Sequence, residues 1–105
     1  MYIGLDLGTS GLKGILMDES QRVLAEATAP LTVERPHEGW SEQDPAAWIA
    51  AAESVLGQLS AQGLGGVKAI GLSGHMHGAT LIDAADQVLR PCILWNDSRS
   101  FAEAA

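Results

Sequence analysis

The stretch Asp6-Leu7-Gly8-Thr9-Ser10-Gly11, with Lys13 just beyond it, restricts this chain more than any other. An apolar run, Tyr2-Ile3-Gly4-Leu5, leads in, and a second run from Leu12 to Met17 leads out. Two strand-like runs joined by so few residues leave room only for a tight turn. Glycine gives such a turn its backbone freedom and leaves N–H groups open to a ligand. Thr9 and Ser10 add hydroxyls, Lys13 a cation, and Asp6 a carboxylate able to hold a hydrated Mg²⁺. That inventory suits the terminal phosphates of a nucleotide. Gly, Ser, Thr and Asp also populate ordinary hairpin turns, so composition alone leaves both readings open.

The order of elements follows from periodicity. Tyr2 to Leu7, Leu12 to Asp18 and Val23 to Ala29 read as three strands with short links, hence an antiparallel meander. Pro30 to Gln43 reads as irregular, with Trp40 packing that loop over the domain. Asp44-Pro45 is a helix start, an N-cap followed by a first-turn proline. Trp48, Ala51, Ala52, Val55, Leu56 and Leu59 then recur at helical spacing as a core-facing stripe, closed by Gly63, Gly65 and Gly66. Val67 to Leu72 reads as a fourth strand, central and, after a helical crossover, parallel. Gly74 to Gly78 is a glycine-flanked turn holding His75, Met76 and His77. Short strands are expected at Ala79–Asp83 and Val88–Leu89. Ile93-Leu94-Trp95 is apolar, Asn96-Asp97-Ser98 offers a cap, and Arg99 to Ala105 would be the first turns of a helix. The chain stops inside that helix before any cap, as a piece of a longer chain would.

Composition narrows the function classes. A 47% hydrophobic and 18% charged chain of 105 residues can bury a core, and it forms one domain at most. Its net charge of −7 disfavours nucleic acid and anionic membrane surfaces, so a bound phosphate must be held by local groups against the overall field. No run is long enough to span a bilayer. The one cysteine, Cys92, reads as a small buried hydrophobe and fits a reducing cytoplasm. His75 and His77 lack a nearby third ligand and make a poor metal site. Ser73 lacks the Gly-x-Ser-x-Gly setting of a hydrolase nucleophile.

Four blocks in order carry a resemblance. They are Tyr2 to Lys13, Gly39-Trp40-Ser41-Glu42-Gln43-Asp44-Pro45, Gly74-His75-Met76-His77-Gly78-Ala79, and Ile93-Leu94-Trp95-Asn96-Asp97-Ser98-Arg99. Together they resemble the N-terminal end of the FGGY family of carbohydrate kinases, and the last two are most like its members that act on D-xylulose. The first block is shared with chaperone-type and other actin-like ATPases.

The resemblance implies an α/β ribonuclease H-like (actin-like ATPase) domain with a mixed sheet that begins as an antiparallel three-strand meander. Residues 1–105 would be the first part of domain I, with the second domain absent. It implies ATP and Mg²⁺ as cofactors and a ketose substrate, D-xylulose going to D-xylulose 5-phosphate in the cytoplasm. By similarity, Asp6 would face Mg²⁺ and the γ-phosphate, and Gly8, Thr9, Ser10 and Lys13 would hold phosphate. Met76, His77, Trp95, Asn96, Asp97 and Arg99 would serve the sugar. For Lys13 the residues equally allow a solvated strand lysine, for His77 a hydrogen-bonded turn histidine, and for Trp95 and Asn96-Asp97-Ser98 a core residue and a cap. The family's general base, an aspartate, would lie beyond residue 105, as would the adenosine site. The isolated chain should therefore be inactive, and its uncovered edges should make it self-associate. Its partner would be the rest of the kinase, and a homodimer is open to the intact enzyme. Another sugar or polyol kinase of the family, acting on ribulose, gluconate or glycerol, and a noncatalytic actin-like nucleotide-binding module are the competing readings.

Overall fold

The computed structural model describes residues 1–104. Four strands, β1 (Tyr2–Leu7), β2 (Gly11–Met17), β3 (Val23–Pro30) and β5 (Ala69–Gly74), form one mixed sheet. Its order is β3-β2-β1-β5, with the first three antiparallel and β5 parallel to β1. The meander is therefore as the sequence implies. The β1–β2 link closes by a hydrogen bond from Gly8 N to Gly11 O at 2.9 Å. In the β2–β3 link the Asp18 carboxylate accepts the N–H groups of Ser20 and Arg22 at 2.8 and 2.9 Å, which fixes that turn.

Helix α1 (Pro45–Leu59) crosses one face of the sheet. Asp44 caps it by accepting the Ala46 N–H at 2.9 Å, and Pro45 sits in the first turn. Ala51, Val55 and Leu59 pack on Ile3, Leu12, Leu16, Ala27 and Ala29 to make the core. Each such aliphatic side chain contributes about 2 kcal/mol by leaving water. Gly14 in β2 makes this contact possible. A Cβ there would clash with Val55 Cγ1 and stand 3.3 Å from Leu59 Cδ1, so the helix can sit this low only over a glycine.

Several expectations need correction. The stop at Gly63, φ 79°, is as expected, but α1 itself ends at Leu59 and a 3₁₀ turn, Ser60–Gln62, comes between. Strand β5 starts at Ala69, not Val67, and among the described residues it is the last strand beside β1, with all six residues exposed. Residues 30–43 are not wholly irregular, because β4 (Glu42–Gln43) pairs antiparallel with β6 (Cys92–Ile93). Two-residue strands carry no alternation, which is why pattern reading misses them. The expected strands at Ala79–Asp83 and Val88–Leu89 are reduced to single bridges, Ala79 to Ile93 and Ile82 to Val88, in a segment whose residues 79–89 are exposed. The last helix, α2, spans Phe101–Ala104. The expected helix residue Ala105 lies outside the described residues. None of the helices described is long and apolar enough to cross a membrane.

Candidate active site

The parallel pair β1 and β5 sets the geometry. Leu7 and Gly74 are partners at their carboxyl ends, and the His75 N–H continues the ladder onto Leu7 O at 2.9 Å. The turn Gly8–Ser10 and the turn His75–His77 therefore leave neighbouring strands at the same end. The carboxyl ends of parallel strands are where open α/β sheets bind ligands.

At the first turn, Asp6, Gly8, Ser10, Gly11 and Lys13 line one hollow of about 450 Å³ with Thr28, Ala29 and Pro30. Asp6 and Lys13 are cross-strand partners, so their side chains share a face, and Ser73 stands beside Asp6 on β5. Asp6 is exposed, and Lys13 makes only a loose contact with Glu26, 3.9 Å between exposed groups. Both charges are thus free to meet a ligand.

The peptides of the turn are oriented from behind. Gln43 Nε2 donates to Thr9 O at 2.8 Å, and Leu31 N donates to Ser10 O at 3.0 Å. In a planar trans peptide the N–H points opposite the C=O. The N–H groups of Ser10 and Gly11 are therefore aimed away from Gln43 and Leu31. Gly8 contributes differently from what the sequence implies. Its N–H is spent on Gly11 O, so it supplies space in the hollow, not a donor.

These residues fit a magnesium–nucleotide phosphate group. Asp6 is the one carboxylate lining the hollow, facing a lysine and hydroxyls. Mg²⁺ in such sites takes one or two carboxylates and completes its shell with phosphate and water. Among the described residues no cluster of three or more His, Cys, Asp or Glu could hold a metal unaided.

At the second turn, His75, Met76, His77 and Trp95 line a hollow of about 330 Å³. Met76 and Trp95 are 69% and 60% exposed, large apolar groups left bare beside a histidine. The turn is not extended at His77, which adopts φ 61°. His75 turns inward. Its ring meets Trp48 edge-on at 5.4 Å, and both its nitrogens are buried without a hydrogen-bond partner. Trp48, expected as core, is half-buried there. Asn96 is exposed in the turn after Trp95 and lies outside the residues lining that hollow.

Asp97 and Arg99 belong to a buried ionic cluster. Asp97, with a side chain 2% exposed, accepts Arg99 Nε at 2.9 Å and Nη2 at 2.7 Å, and the Ser41 N–H at 2.7 Å. The Arg99 guanidinium holds the Asp97 carboxyl well below the usual carboxylate range, and the Ser41 N–H adds to this against the opposing cost of burial. Asp97 in turn raises the Arg99 pKa. Arg99 Nη2 also reaches Glu42 Oε2 at 2.8 Å, and Arg90 pairs with the same oxygen. The guanidinium lies 3.7 Å from the centre of the Trp40 ring, a cation–π contact. Asp97 therefore has both oxygens engaged inside the protein. Arg99 retains one buried, unpartnered nitrogen, Nη1.

Sequence reasoning missed Gln43, Glu42 and Arg90. The first two lie in the quoted block Gly39–Pro45, but nothing in their spacing shows that they are buried or which groups they reach.

The family model for the FGGY family of carbohydrate kinases, N-terminal domain, matches residues 1–105. The chain belongs to this family. It is 56% identical to the xylulose kinase of Escherichia coli (strain K12), over 98% of this chain and 22% of that protein. A xyloylose kinase from Brucella ovis superimposes with a TM-score of 0.95 at 57% identity, again over 98% of this chain and 22% of that one. A gluconate kinase from Lactobacillus acidophilus superimposes with a TM-score of 0.91 at 26% identity, over 97% and 21%. The chain spans about a fifth of the length of these relatives. The mixed sheet is the start of the actin-like ATPase fold that these kinases share, as the resemblance implies.

Proposed function

We propose that this chain is the first part of domain I of a longer cytoplasmic sugar kinase that transfers the γ-phosphoryl group of ATP to a ketose, D-xylulose to D-xylulose 5-phosphate. The observation that carries the reading is the likeness to xylulose kinases at 56 and 57% identity over nearly the whole chain. The two hollows at the same end of β1 and β5 agree with it, one polar and charged, the other lined by two histidines and the bare side chains of Met76 and Trp95.

Phosphoryl transfer needs positioning and neutralisation of charge more than covalent help. In this reading Asp6 holds the hydrated Mg²⁺, and Lys13 neutralises charge near the γ-phosphate. Thr9 and Ser10 donate N–H and hydroxyl groups to phosphate, and Gly8 gives it room. When bound, Mg²⁺ screens the phosphate oxygens and orients them. On the sugar side, Trp95 and Met76 cover the apolar face of the ketose, and His77 and Asn96 bond its hydroxyls. Asp97 and Arg99 serve the sugar by fixing the loop that carries Trp95 and Asn96. The general base and the adenosine site belong to the remainder of the kinase.

The test is ADP release by the intact gene product with a panel of ketoses, polyols and sugar acids, with the phosphorylated product identified by mass spectrometry. D-xylulose is expected to give the highest kcat/KM. A higher value for gluconate, ribulose or glycerol would move the assignment to another kinase of the family. Nucleotide binding with no sugar-dependent turnover would favour a noncatalytic actin-like module.

A further inference from the structure

The block Gly39-Trp40-Ser41-Glu42-Gln43-Asp44-Pro45 is given no contact with phosphate or sugar above, yet it supplies a buried polar side chain that lies between the two hollows. Gln43 is 1% exposed. Its amide is fully committed. Nε2 donates to Thr9 O at 2.8 Å and Thr32 O at 3.2 Å, and Oε1 accepts the Trp48 indole N–H at 2.8 Å. An indole N–H is a donor only, so Oε1 must face Trp48 and Nε2 must face the two carbonyls. The backbone of Gln43 pairs with Cys92 in the short β4–β6 ladder, whose β6 strand leads into Trp95. Trp48, held by Gln43, presents its ring to His75, the neighbour of Met76 and His77.

We infer that Gln43 is a positioning residue that couples the phosphate turn to the sugar-side loops, through Thr9 in one direction and through Cys92 and Trp48 in the other. The inference rests on the kinase reading for its functional meaning, but the coupling is a property of the fold. Its physical core is the Thr9–Ser10 peptide. The bond from Gln43 to Thr9 O fixes which way that peptide faces, and so aims the Ser10 N–H outward from the protein. Without the bond a buried carbonyl loses its partner and the peptide is free to rotate. A turn that has lost its orientation presents its donors to phosphate only part of the time. The same residue, by pairing with Cys92, holds the segment that carries the sugar-facing tryptophan. Charge has no role in this link, since the side chain is a neutral amide. Gln43→Glu would keep the shape and reverse the hydrogen-bonding sense toward Thr9 and Thr32.

The experiment is hydrogen exchange read by mass spectrometry on the intact kinase, wild type against Gln43→Met and Trp48→Phe, with MgADP affinity measured on the same samples. Gln43→Met keeps the volume and removes all three bonds. Trp48→Phe keeps an aromatic ring beside His75 and removes one bond. In Gln43→Met, exchange is expected to rise about tenfold in residues 8–12 and 92–98, and MgADP affinity to fall about tenfold. Residues 55–59 of α1 should exchange as in wild type. Trp48→Phe should move the same two segments in the same direction by a smaller factor, and it decides the matter if Gln43→Met fails to fold. Unchanged exchange in residues 8–12, or an equal rise in residues 55–59, would overturn the coupling. A fall in thermal stability with MgADP affinity intact would do the same, since a merely structural residue behaves so. Wild-type enzyme that fails to phosphorylate any sugar would sink the kinase reading, while the exchange pattern would still decide the role of Gln43.

Discussion

The two ends of the candidate site are held by opposite kinds of force. The phosphate turn hangs from β1 and β2, whose Ile3, Leu12 and Leu16 are pressed under α1 by Ala51, Val55 and Leu59. The sugar-side segment, residues 75–99, buries only Cys92 and Leu94 among its apolar side chains. It is fastened instead by Asp97, Arg99, Arg90 and Glu42, by the β4–β6 ladder, and by Leu94 N to Ser41 O at 2.9 Å. Apolar burial is insensitive to direction and to pH, whereas buried ion pairs are sensitive to both. The first arrangement suits a rigid cradle for phosphate. In the proposed reading the second would belong to loops that choose the sugar. The same division explains why one half reads easily from sequence and the other does not.

The comparison can be broken most severely at Gly14. Gly14→Val would drive side-chain carbons into Val55 and lift α1 from the sheet. A loss of about 3 kcal/mol or more is expected by urea denaturation, with the midpoint as readout. Removal of an ionic partner should do comparable damage in a smaller region. Asp97→Asn leaves Arg99 and Arg90 with Glu42 alone to balance them, an expected cost of about 3 kcal/mol. Here the loss should be confined to residues 39–43 and 90–99 by hydrogen exchange, and a loss spread over α1 would refute the division.

Acid should separate the two halves by the same logic. The folded state holds the Asp97 pKa well below its ordinary 3.8, so the cluster contributes fully above that value. As pH falls below 3.8, the unfolded chain binds a proton that the folded chain refuses, and stability drops with it. Exchange in residues 90–99 is therefore expected to rise in acid before exchange in residues 51–59. The smallest effect on stability belongs to Lys13→Met, which removes a loose, exposed contact with Glu26 and should shift stability by less than about 0.5 kcal/mol. The same change should raise KM for ATP in the intact kinase and leave D-xylulose binding as it was. A matching loss of ketose affinity would blur the boundary between the two hollows.

The sequence makes the first half legible because its signals repeat. Alternation in Leu12, Gly14 and Leu16 and helical spacing in Ala51, Val55 and Leu59 each count the same face several times. The cap at Asp44 adds a local rule that agrees. In the second half the signals are single residues. Asp97 has the look of a helix cap and does accept the Arg99 N–H at 2.9 Å, but its main partners are the Arg99 side chain and Ser41, fifty-six residues away in sequence. Gln43 resembles any loop glutamine until its burial is known. Strand β5 gives a related case, since Ile70 and Leu72 look like core residues and among the described residues are 51% and 79% exposed. An apolar strand declares that it is to be covered, but not by which segment.

The proposed division gives the turn at Asp6 to nucleotide phosphate and the His77–Trp95 hollow to the sugar. It is tested most directly by Asp6→Asn in the intact kinase, with ATP-dependent ketose phosphorylation and D-xylulose affinity measured on the same preparation. Turnover is expected to fall by about 10³-fold, the scale on which such charge-stabilising groups act, with D-xylulose bound as tightly as in wild type. Turnover within a few-fold of wild type, or a ketose affinity that collapses with it, would contradict the account.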